Sequence, residues 1–252
     1  MLTRSFIMLP GVGLNTELKY WRMGIGSWED FLQWDEVPGL KGDRKITSDA
    51  LVEEALDRFK KNDLRYFNGF FKPGDNWRLW DDFGSRAVFL DIETLGTRRE
   101  SPITVVGIHD GSKFDAAVRG FNLDGNEIKR MLKDASMIVT FNGTTFDLPM
   151  IDAQFPGSLP DIPHLDLRFV ARRCGFMGGL KSIEIQMGIK RPKDVAGMSG
   201  EDAVRLWKIY ERDDNRNALK LILRYNREDI VNMIPMTEIL ATSLRERTLE
   251  RI

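Results

Sequence analysis

Two carboxylates in the middle of the sequence have the spacing of cation ligands. Asp91 and Glu93 are two residues apart at the end of an apolar segment, residues 87–93, whose β-branched residues predict a buried strand. Alternate side chains of a strand project from the same face, so both carboxylates lie on one side. Two such groups repel each other unless a cation lies between them. The pair therefore indicates a site for a hard cation.

More oxygen ligands follow at the boundaries of later elements. Asp147 comes just after the predicted strand 137–141, and Tyr225 and Asp229 are four residues apart on the last predicted helix, where they share a face. Each acid alone is more often a helix cap or a solvated residue. As a set in this order, they would bind two divalent cations at one strand end. Such sites activate water and stabilise both oxygens of a phosphoryl displacement.

The composition limits the kind of protein and of metal site. Of the 252 residues, 42% are hydrophobic and 30% are charged, which is typical of a globular protein. One cysteine and two histidines exclude an intramolecular disulfide and a Cys/His zinc site, so any metal must bind oxygen. The 37 basic and 38 acidic residues nearly balance, so nucleic-acid binding would require locally clustered basic residues. No apolar run reaches the roughly 18 residues of a membrane span. The first apolar stretch is too short for a secretion signal and ends at Pro10-Gly11, so we expect a cytoplasmic protein with no membrane association.

The elements that must position these residues change in character near residue 84. Before it the pattern predicts helices at 17–23, capped by Asn15 or Thr16, at 27–32, capped by Ser27, and at 48–59, capped by Ser48. After it the pattern predicts strands at 87–93, 103–108, 116–121, 137–141 and 164–167, with helices at 126–134, 146–155 and about 218–240. This order predicts an α/β domain with a mixed sheet over 84–252, preceded by a helical domain over 1–83.

Three motifs resemble, in order, the exonuclease motifs of the DEDD superfamily. They are Asp-Ile-Glu at 91–93, Phe-Asn-Gly-Thr-Thr-Phe-Asp at 141–147 and Tyr-Asn-Arg-Glu-Asp at 225–229. The Tyr-x-x-x-Asp spacing is that of the tyrosine subclass. The phrases His-Leu-Asp-Leu at 164–167 and Gly-Leu-Lys-Ser-Ile-Glu at 179–184 make the sequence more closely similar to YprB-like ribonuclease H-like proteins. The resemblance spans about 87–240 and implies a ribonuclease H-like mixed β-sheet flanked by helices.

The resemblance also implies roles for the five core residues. Two divalent cations, Mg²⁺ or Mn²⁺, would bind there. Asp91 would bridge both ions, Glu93 and Asp229 would complete the first site, and Asp147 would hold the second. Tyr225 would orient the attacking water through its hydroxyl.

Substrate contacts are implied around these residues. Thr94 and Leu95 match positions that meet the 3′-terminal nucleotide, and Asn142 matches a substrate contact. Between residues 168 and 193 there are seven basic residues and one acid. Such a run is often only a solvated face, but beside a phosphodiesterase site it would form a phosphate track, for which Arg172 and Lys181 are the candidates.

Two further residues have open roles. His164 is either a strand-edge residue hydrogen-bonded to backbone or a supporting residue of the site. Asp166 is a candidate for an acid that orients a metal ligand or a nearby lysine.

The segment at about 9–33 resembles half of a helix-hairpin-helix element. Its Gly-Val-Gly turn at 11–13 would offer backbone N–H groups to a phosphate at a helix N-terminus. The alternative is a small helical cap that packs on the rest of the protein through Trp21, Trp28 and Trp34.

Together these resemblances imply a metal-dependent 3′–5′ exonuclease that acts on single-stranded nucleic acid with a free 3′ end. DNA is favoured over RNA because helix-hairpin-helix elements usually bind DNA. The alternatives are an exoribonuclease with the same site and a nucleic-acid-binding protein that uses the nuclease fold as a scaffold. The scaffold alternative predicts losses among the acids, and none is lost. A nucleotide-binding enzyme would require a glycine-rich phosphate loop, and neither common motif occurs. The sequence indicates no particular protein partner.

Overall fold

A five-stranded mixed β-sheet carries the elements that the sequence pattern predicts to hold the site. In the computed structural model, which describes residues 1–252, the strands are β1 (Ala87–Thr94), β2 (Ile103–His109), β3 (Phe114–Val118), β4 (Met137–Thr140) and β5 (His164–Asp166). Their order in the sheet is β3-β2-β1-β4-β5. β1 and β2 pair antiparallel, as do β2 and β3, whereas β4 runs parallel to both β1 and β5. The carboxyl ends of β1, β4 and β5 therefore meet at one edge.

Helices precede and flank this sheet. Those before it are α1 (Leu14–Arg22), α2 (Trp28–Phe31), α3 (Asp43–Lys60), α4 (Leu64–Phe67) and α5 (Trp80–Phe83), with 3-10 helices at Leu2–Arg4, Pro73–Leu79 and Gly84–Arg86. Those within and after it are α6 (Gly125–Leu132), α7 (Asp147–Gln154), α8 (Leu167–Cys174), α9 (Leu180–Met187), α10 (Gly200–Asp213) and α11 (Arg216–Leu249). None of them has the length and hydropathy needed to cross a membrane. The predicted α/β fold with a mixed sheet and preceding helices is confirmed.

Two of the predicted helix caps are wrong. α1 begins at Leu14 with Gly13 as its N-cap, so Asn15 and Thr16 lie inside the helix. α3 begins five residues before Ser48, which is buried within it. In both helices a glycine precedes the first turn, and a glycine has no side chain that could mark a cap. The Ser27 cap is confirmed, since its hydroxyl accepts a hydrogen bond from the N–H of Asp30 at 3.1 Å.

One hydrophobic cluster joins the helices before residue 84 to the sheet and to α11. It contains 35 buried residues, which extend along the sequence from Leu2 to Leu244 on α11. Trp21 and Trp28 are buried in it, but Trp34 is 40% exposed and does not contribute as the sequence analysis expected. The N-terminal helices therefore share a core with the sheet, and the division into domains 1–83 and 84–252 stays a prediction.

A glycine on β2 lets α11 approach β1 closely. Gly107 lies opposite Asp91 in the antiparallel pairing. A Cβ atom at this position would lie 1.8 Å from Oδ1 of Asn226 and 2.8 Å from Cδ1 of Ile230, both on α11. An isolated glycine within a strand often marks such a close approach. The absence of a side chain here therefore allows α11 to reach the acidic end of β1.

Candidate metal centre

Three carboxylates from two elements converge at the end of β1. Asp91, Glu93 and Asp229 each offer an oxygen, and these oxygens lie within 4.8 Å of one another. β1 supplies two of them from one face, and α11 supplies the third. The side-chain N–H of Asn226, also on α11, donates to Oδ2 of Asp91 at 2.8 Å and to its backbone oxygen at 3.3 Å. The amide therefore fixes the orientation of the central carboxylate.

The fourth acid, Asp147, lies beside this group. It occupies the first turn of α7 and is buried, and its Oδ1 accepts a hydrogen bond from the N–H of Ile92 at 3.1 Å. Ile92 separates the two β1 acids, so this contact holds Asp147 against them. Burial raises the pKa of Asp147 to about 7, and repulsion from Asp166 and Asp229 adds to the rise.

The four carboxylates lie close enough to repel one another, and a bound cation would reduce this repulsion. Burial raises the pKa of Asp91 and of Glu93 well above their usual range, and the neighbouring carboxylates raise them further. Burial also raises the pKa of Asp229, against the lowering effect of Arg191. Oε1 of Glu93 is buried with no hydrogen-bond partner. An unpaired carboxylate oxygen among four acids is the environment that suits Mg²⁺ or Mn²⁺, which prefer oxygen ligands.

Tyr225 lies one turn before Asp229 on the same helix. Its ring is buried, and the Nζ of Lys181 lies 4.7 Å from its centroid. Burial raises the pKa of Tyr225, and the carboxylates of Asp229 and Glu93 raise it further. The hydroxyl therefore stays protonated at neutral pH and can donate a hydrogen bond.

These residues line an open cleft of about 720 Å³. Asp91, Glu93, Tyr225 and Asp229 form part of its wall, together with Thr94 and the start of α10. No role was predicted for Ser199, the N-cap of α10, or for Gly200 and Glu201 in its first turn. Leu95 does not line the cleft: it packs against the small cluster that contains Trp207. The structure therefore brings Thr94 to the site, whereas Leu95 is half-buried against the neighbouring cluster.

Asp166 holds the loop between β4 and α7. Its Oδ1 accepts a hydrogen bond from the N–H of Asn142 at 2.8 Å, and its Oδ2 accepts one from the N–H of Thr144 at 3.0 Å. It also caps α8 by accepting from the N–H of Arg168. Asn142 has a φ of 68°, a left-handed conformation that these contacts stabilise. Asp166 thus orients a loop through backbone N–H groups rather than through a lysine.

His164 supports the same loop from β5. Its Nε2 lies 2.8 Å from Oγ1 of Thr140, which in turn accepts a hydrogen bond from the N–H of Gly143 at 3.1 Å. Burial lowers the pKa of His164 to about 4, so the imidazole is neutral at pH 7. The partner is a threonine side chain, and the expected hydrogen bond to backbone is wrong.

Only some of the basic residues between 168 and 193 are exposed on the surface. Arg191 is buried between Glu184 and Asp229, and Arg173 pairs with Asp75. Lys181 donates to the backbone oxygen of Met198 beside the cleft. Arg168 and Arg172 line a second cavity of about 590 Å³, together with Phe141, Asn142, Met177, Gly178 and Gly179. Lys190 and Lys193 are exposed and lie outside both cavities. Counting charges along the sequence could not separate the buried arginine from the exposed ones.

Three positioning residues were missed by the sequence analysis. Asn226 follows Tyr225 directly and lies three residues before Asp229, so helical spacing could have placed it near the acids. Gly107 is an isolated glycine within a predicted strand, a signal of close backbone approach. Arg191 ends the phrase Gly-Ile-Lys-Arg at 188–191, which also resembles the YprB-like proteins, but in the sequence it counted only as one residue of the basic run.

A protein-family comparison agrees with this architecture. The model of a family described as RNase_H superfamily matches residues 88–241, which is more than half of the sequence and includes all four acids. The chain belongs to the RNase_H superfamily. The match confirms the predicted ribonuclease H-like fold. Assignment to the tyrosine subclass and closeness to YprB-like proteins stay predictions. No curated protein matches its sequence.

Several solved structures are similar to this RNase_H superfamily member. The family B DNA polymerase from the hyperthermophilic archaeon Pyrobaculum calidifontis shares 13% identity over 62% of this chain and 27% of its own, with a TM-score of 0.47. Escherichia coli RNase D, described as an exoribonuclease involved in structured RNA processing, shares 20% identity over 70% of this chain and 48% of its own, with a TM-score of 0.44. Brucella melitensis NrnC bound to pGG shares 21% identity over 64% of this chain and 87% of its own, with a TM-score of 0.35. The matched part is thus about a quarter of the polymerase and about half of RNase D.

Proposed function

We propose that this protein is a metal-dependent 3′–5′ exonuclease that hydrolyses the phosphodiester bonds of single-stranded nucleic acid, with DNA as the favoured substrate. The observation that carries the proposal is the convergence of Asp91, Glu93 and Asp229 oxygens within 4.8 Å in an open cleft. Asp147 lies against the same strand, and Tyr225 lies in the same cleft. Arg191 pairs with Asp229, but Glu93 keeps an unpaired buried oxygen that a metal ion could satisfy.

The acids divide between two cation positions in this proposal. Asp91, Glu93 and Asp229 would hold one divalent ion, Mg²⁺ or Mn²⁺, and Asp91 with Asp147 would hold the second. Such ions, when bound, stabilise charge on the phosphodiester oxygens and lower the pKa of water.

Other side chains would orient the reacting groups. The protonated hydroxyl of Tyr225 can hydrogen-bond a water in the cleft and fix its direction of attack. The ammonium group of Lys181, above the Tyr225 ring, adds positive charge on the side where a phosphate would approach. Asn226 keeps Asp91 in one orientation through its amide. These contacts prearrange the cleft before substrate binds.

The single-stranded nucleic acid would extend from the cleft along the second cavity. Arg168 and Arg172 line that cavity, and the N-terminus of α9 opens onto it at Gly179. Positive side chains and a helix N-terminus suit the phosphate backbone, and each phosphate contact adds salt-dependent affinity. Asn142 lines the same cavity. Leu95 is half-buried beside Thr94, and its contact with the 3′-terminal nucleotide stays a prediction.

The preference for DNA rests on the segment at 9–33. Its glycine turn precedes α1 and caps it at Gly13, as a phosphate-binding hairpin would require. An exoribonuclease that uses the same acids is the second candidate. A cytoplasmic location completes the proposal.

The test is a cleavage assay with 5′-labelled single-stranded DNA and RNA of matched sequence, in Mg²⁺, Mn²⁺ or EDTA. We expect a ladder that shortens from the 3′ end and disappears with EDTA and in Asp91→Ala. The matched control is Asp152→Ala, an exposed acid on α7 outside the cleft, which should cleave like wild type. Tight binding of either strand without any cleavage would contradict the proposal and favour the scaffold alternative.

A further inference from the structure

Arg191 is a buried cation that joins two helices beside the metal centre. Its side chain is 4% exposed, and its Nε and Nη2 donate to the two carboxylate oxygens of Glu184 on α9, each at 2.6 Å. The same Nη2 lies 2.5 Å from Oδ1 of Asp229 on α11. Asn232, also on α11, donates to Oε1 of Glu184 at 3.1 Å. A guanidinium anchored by two parallel hydrogen bonds has a fixed direction, so it cannot turn away from Asp229.

This ion pair restrains the Asp229 carboxylate beside the cleft. Oδ1 is buried and lies against Arg191, whereas the Asp229 side chain as a whole keeps 10% exposure and lines the cleft. The contact with Arg191 therefore limits how the carboxylate can turn within the cleft.

A positive charge next to a cation site would by itself repel the cation. Glu184 balances the charge of Arg191, since it is 2% exposed and bonded to both nitrogens of the fork. What remains for Arg191 to supply is direction rather than net charge. A lysine could balance Glu184 as well, but its single ammonium could not hold two carboxylates in a fixed geometry.

We infer that Arg191 is a positioning residue of the metal centre: its guanidinium, anchored by Glu184, holds the Asp229 carboxylate in the orientation in which it faces Asp91 and Glu93 and can bind a divalent cation. This inference rests on the metal site of the proposed function. Residues that hold a metal ligand in place typically contribute 10–100-fold to metal affinity, and this range sets the expected effect.

The test is a Mn²⁺ titration of the full chain, with unbound Mn²⁺ measured by electron paramagnetic resonance. We expect Arg191→Lys to raise the Kd for Mn²⁺ about tenfold or more. The matched control is Arg224→Lys. Arg224 lies on the same helix as Asp229 and forms an exposed ion pair with Asp194 at 2.9 Å. This substitution should change the Kd by less than about twofold, because exposed pairs contribute little. Circular dichroism and the thermal midpoint of each metal-free variant show whether it is folded.

An unchanged Kd in folded Arg191→Lys overturns the role of Arg191. Absence of Mn²⁺ binding by wild type instead overturns the metal centre, and the inference with it, so the two failures are distinguished. If Arg191→Lys does not fold, Glu184→Gln releases the guanidinium without changing the size of its anchor. We expect the same loss of affinity there, and wild-type affinity would refute the inference. Because the two residues act through one contact, the double variant should lose no more affinity than Arg191→Lys alone, and additive losses would contradict this.

Discussion

Replacement of Gly107 by alanine tests whether the approach of α11 to β1 creates the site. The added Cβ would lie 1.8 Å from Oδ1 of Asn226, against an ordinary contact of at least 3.4 Å. Either α11 moves away by about 1.5 Å, or the Asn226 side chain turns out of its place. Both responses break the hydrogen bond from Asn226 to Asp91.

The expected loss of stability follows from these two terms. Overpacking a core typically costs about 1–3 kcal/mol. A lost hydrogen bond to a charged group costs about 1.5–3 kcal/mol. The two costs are not fully additive, because losing the hydrogen bond relieves part of the overpacking. We therefore expect Gly107→Ala to lower the free energy of unfolding by about 2–4 kcal/mol. For a chain of this size the thermal midpoint should fall by roughly 5–15 °C.

Calorimetry and the 3′-end cleavage assay would measure the two consequences separately. The control is Gly197→Ala, since a Cβ there meets nothing within 4 Å. The double variant Gly107→Ala/Asn226→Ala removes the clashing amide, so it should recover part of the midpoint but none of the cleavage rate. A folded Gly107→Ala protein whose midpoint falls by less than about 2 °C, with wild-type cleavage, would refute this reasoning.

Two other predictions concern the titrating groups of the cleft. Tyr225→Phe should slow cleavage by about 100-fold, because it loses the hydroxyl that orients water, and should leave Mn²⁺ affinity unchanged. An unchanged rate in single-turnover kinetics would remove the tyrosine from the mechanism. The second prediction compares the metal-free protein with Asp147→Asn, both in EDTA, as pH rises from about 4 to about 7. The folded-state pKa of Asp147, about 7, lies above its ordinary value of 3.8, so its contribution to stability is complete below about 3.8 and is lost as pH rises through about 7. His164, whose pKa falls from 6.5 to about 4, contributes in the opposite direction, and the other acids of the cluster contribute in the same direction as Asp147, but both proteins contain these groups. The thermal midpoint of wild type should therefore fall relative to that of Asp147→Asn over this range. A difference between the two midpoints that does not change with pH would contradict this explanation.

The sheet could be predicted because its signals are local. β1 and β4 are short apolar runs with β-branched residues, and their positions fix where Asp91 and Asp147 fall in the fold. The spacing of Tyr225 and Asp229 needs only the period of a helix. These residues were predicted to converge, and the structure places them in one region.

The contacts that orient the acids depend on residues distant in sequence. Arg191 is one of seven basic residues in its segment, and only the packing of α9 against α11 distinguishes it from its exposed neighbours. Leu95 was expected at the substrate because it matches a family position that meets the 3′-terminal nucleotide, but in the structure it is half-buried against the Trp207 cluster. The predicted N-cap of α1 was wrong for a different reason. Gly13 has no side chain that could indicate the start of the helix.

The chain joins its first acid to its last helix over a long sequence distance. Asn226 reaches Asp91 across 135 residues, so this contact needs both β1 and the last helix. A growing polypeptide therefore exposes Asp91 and Glu93 long before Asp229 has been synthesised. A partly made chain, or one whose last helix has locally unfolded, lacks the third carboxylate of the candidate metal centre. The proposed site would thus be assembled only when the fold is complete.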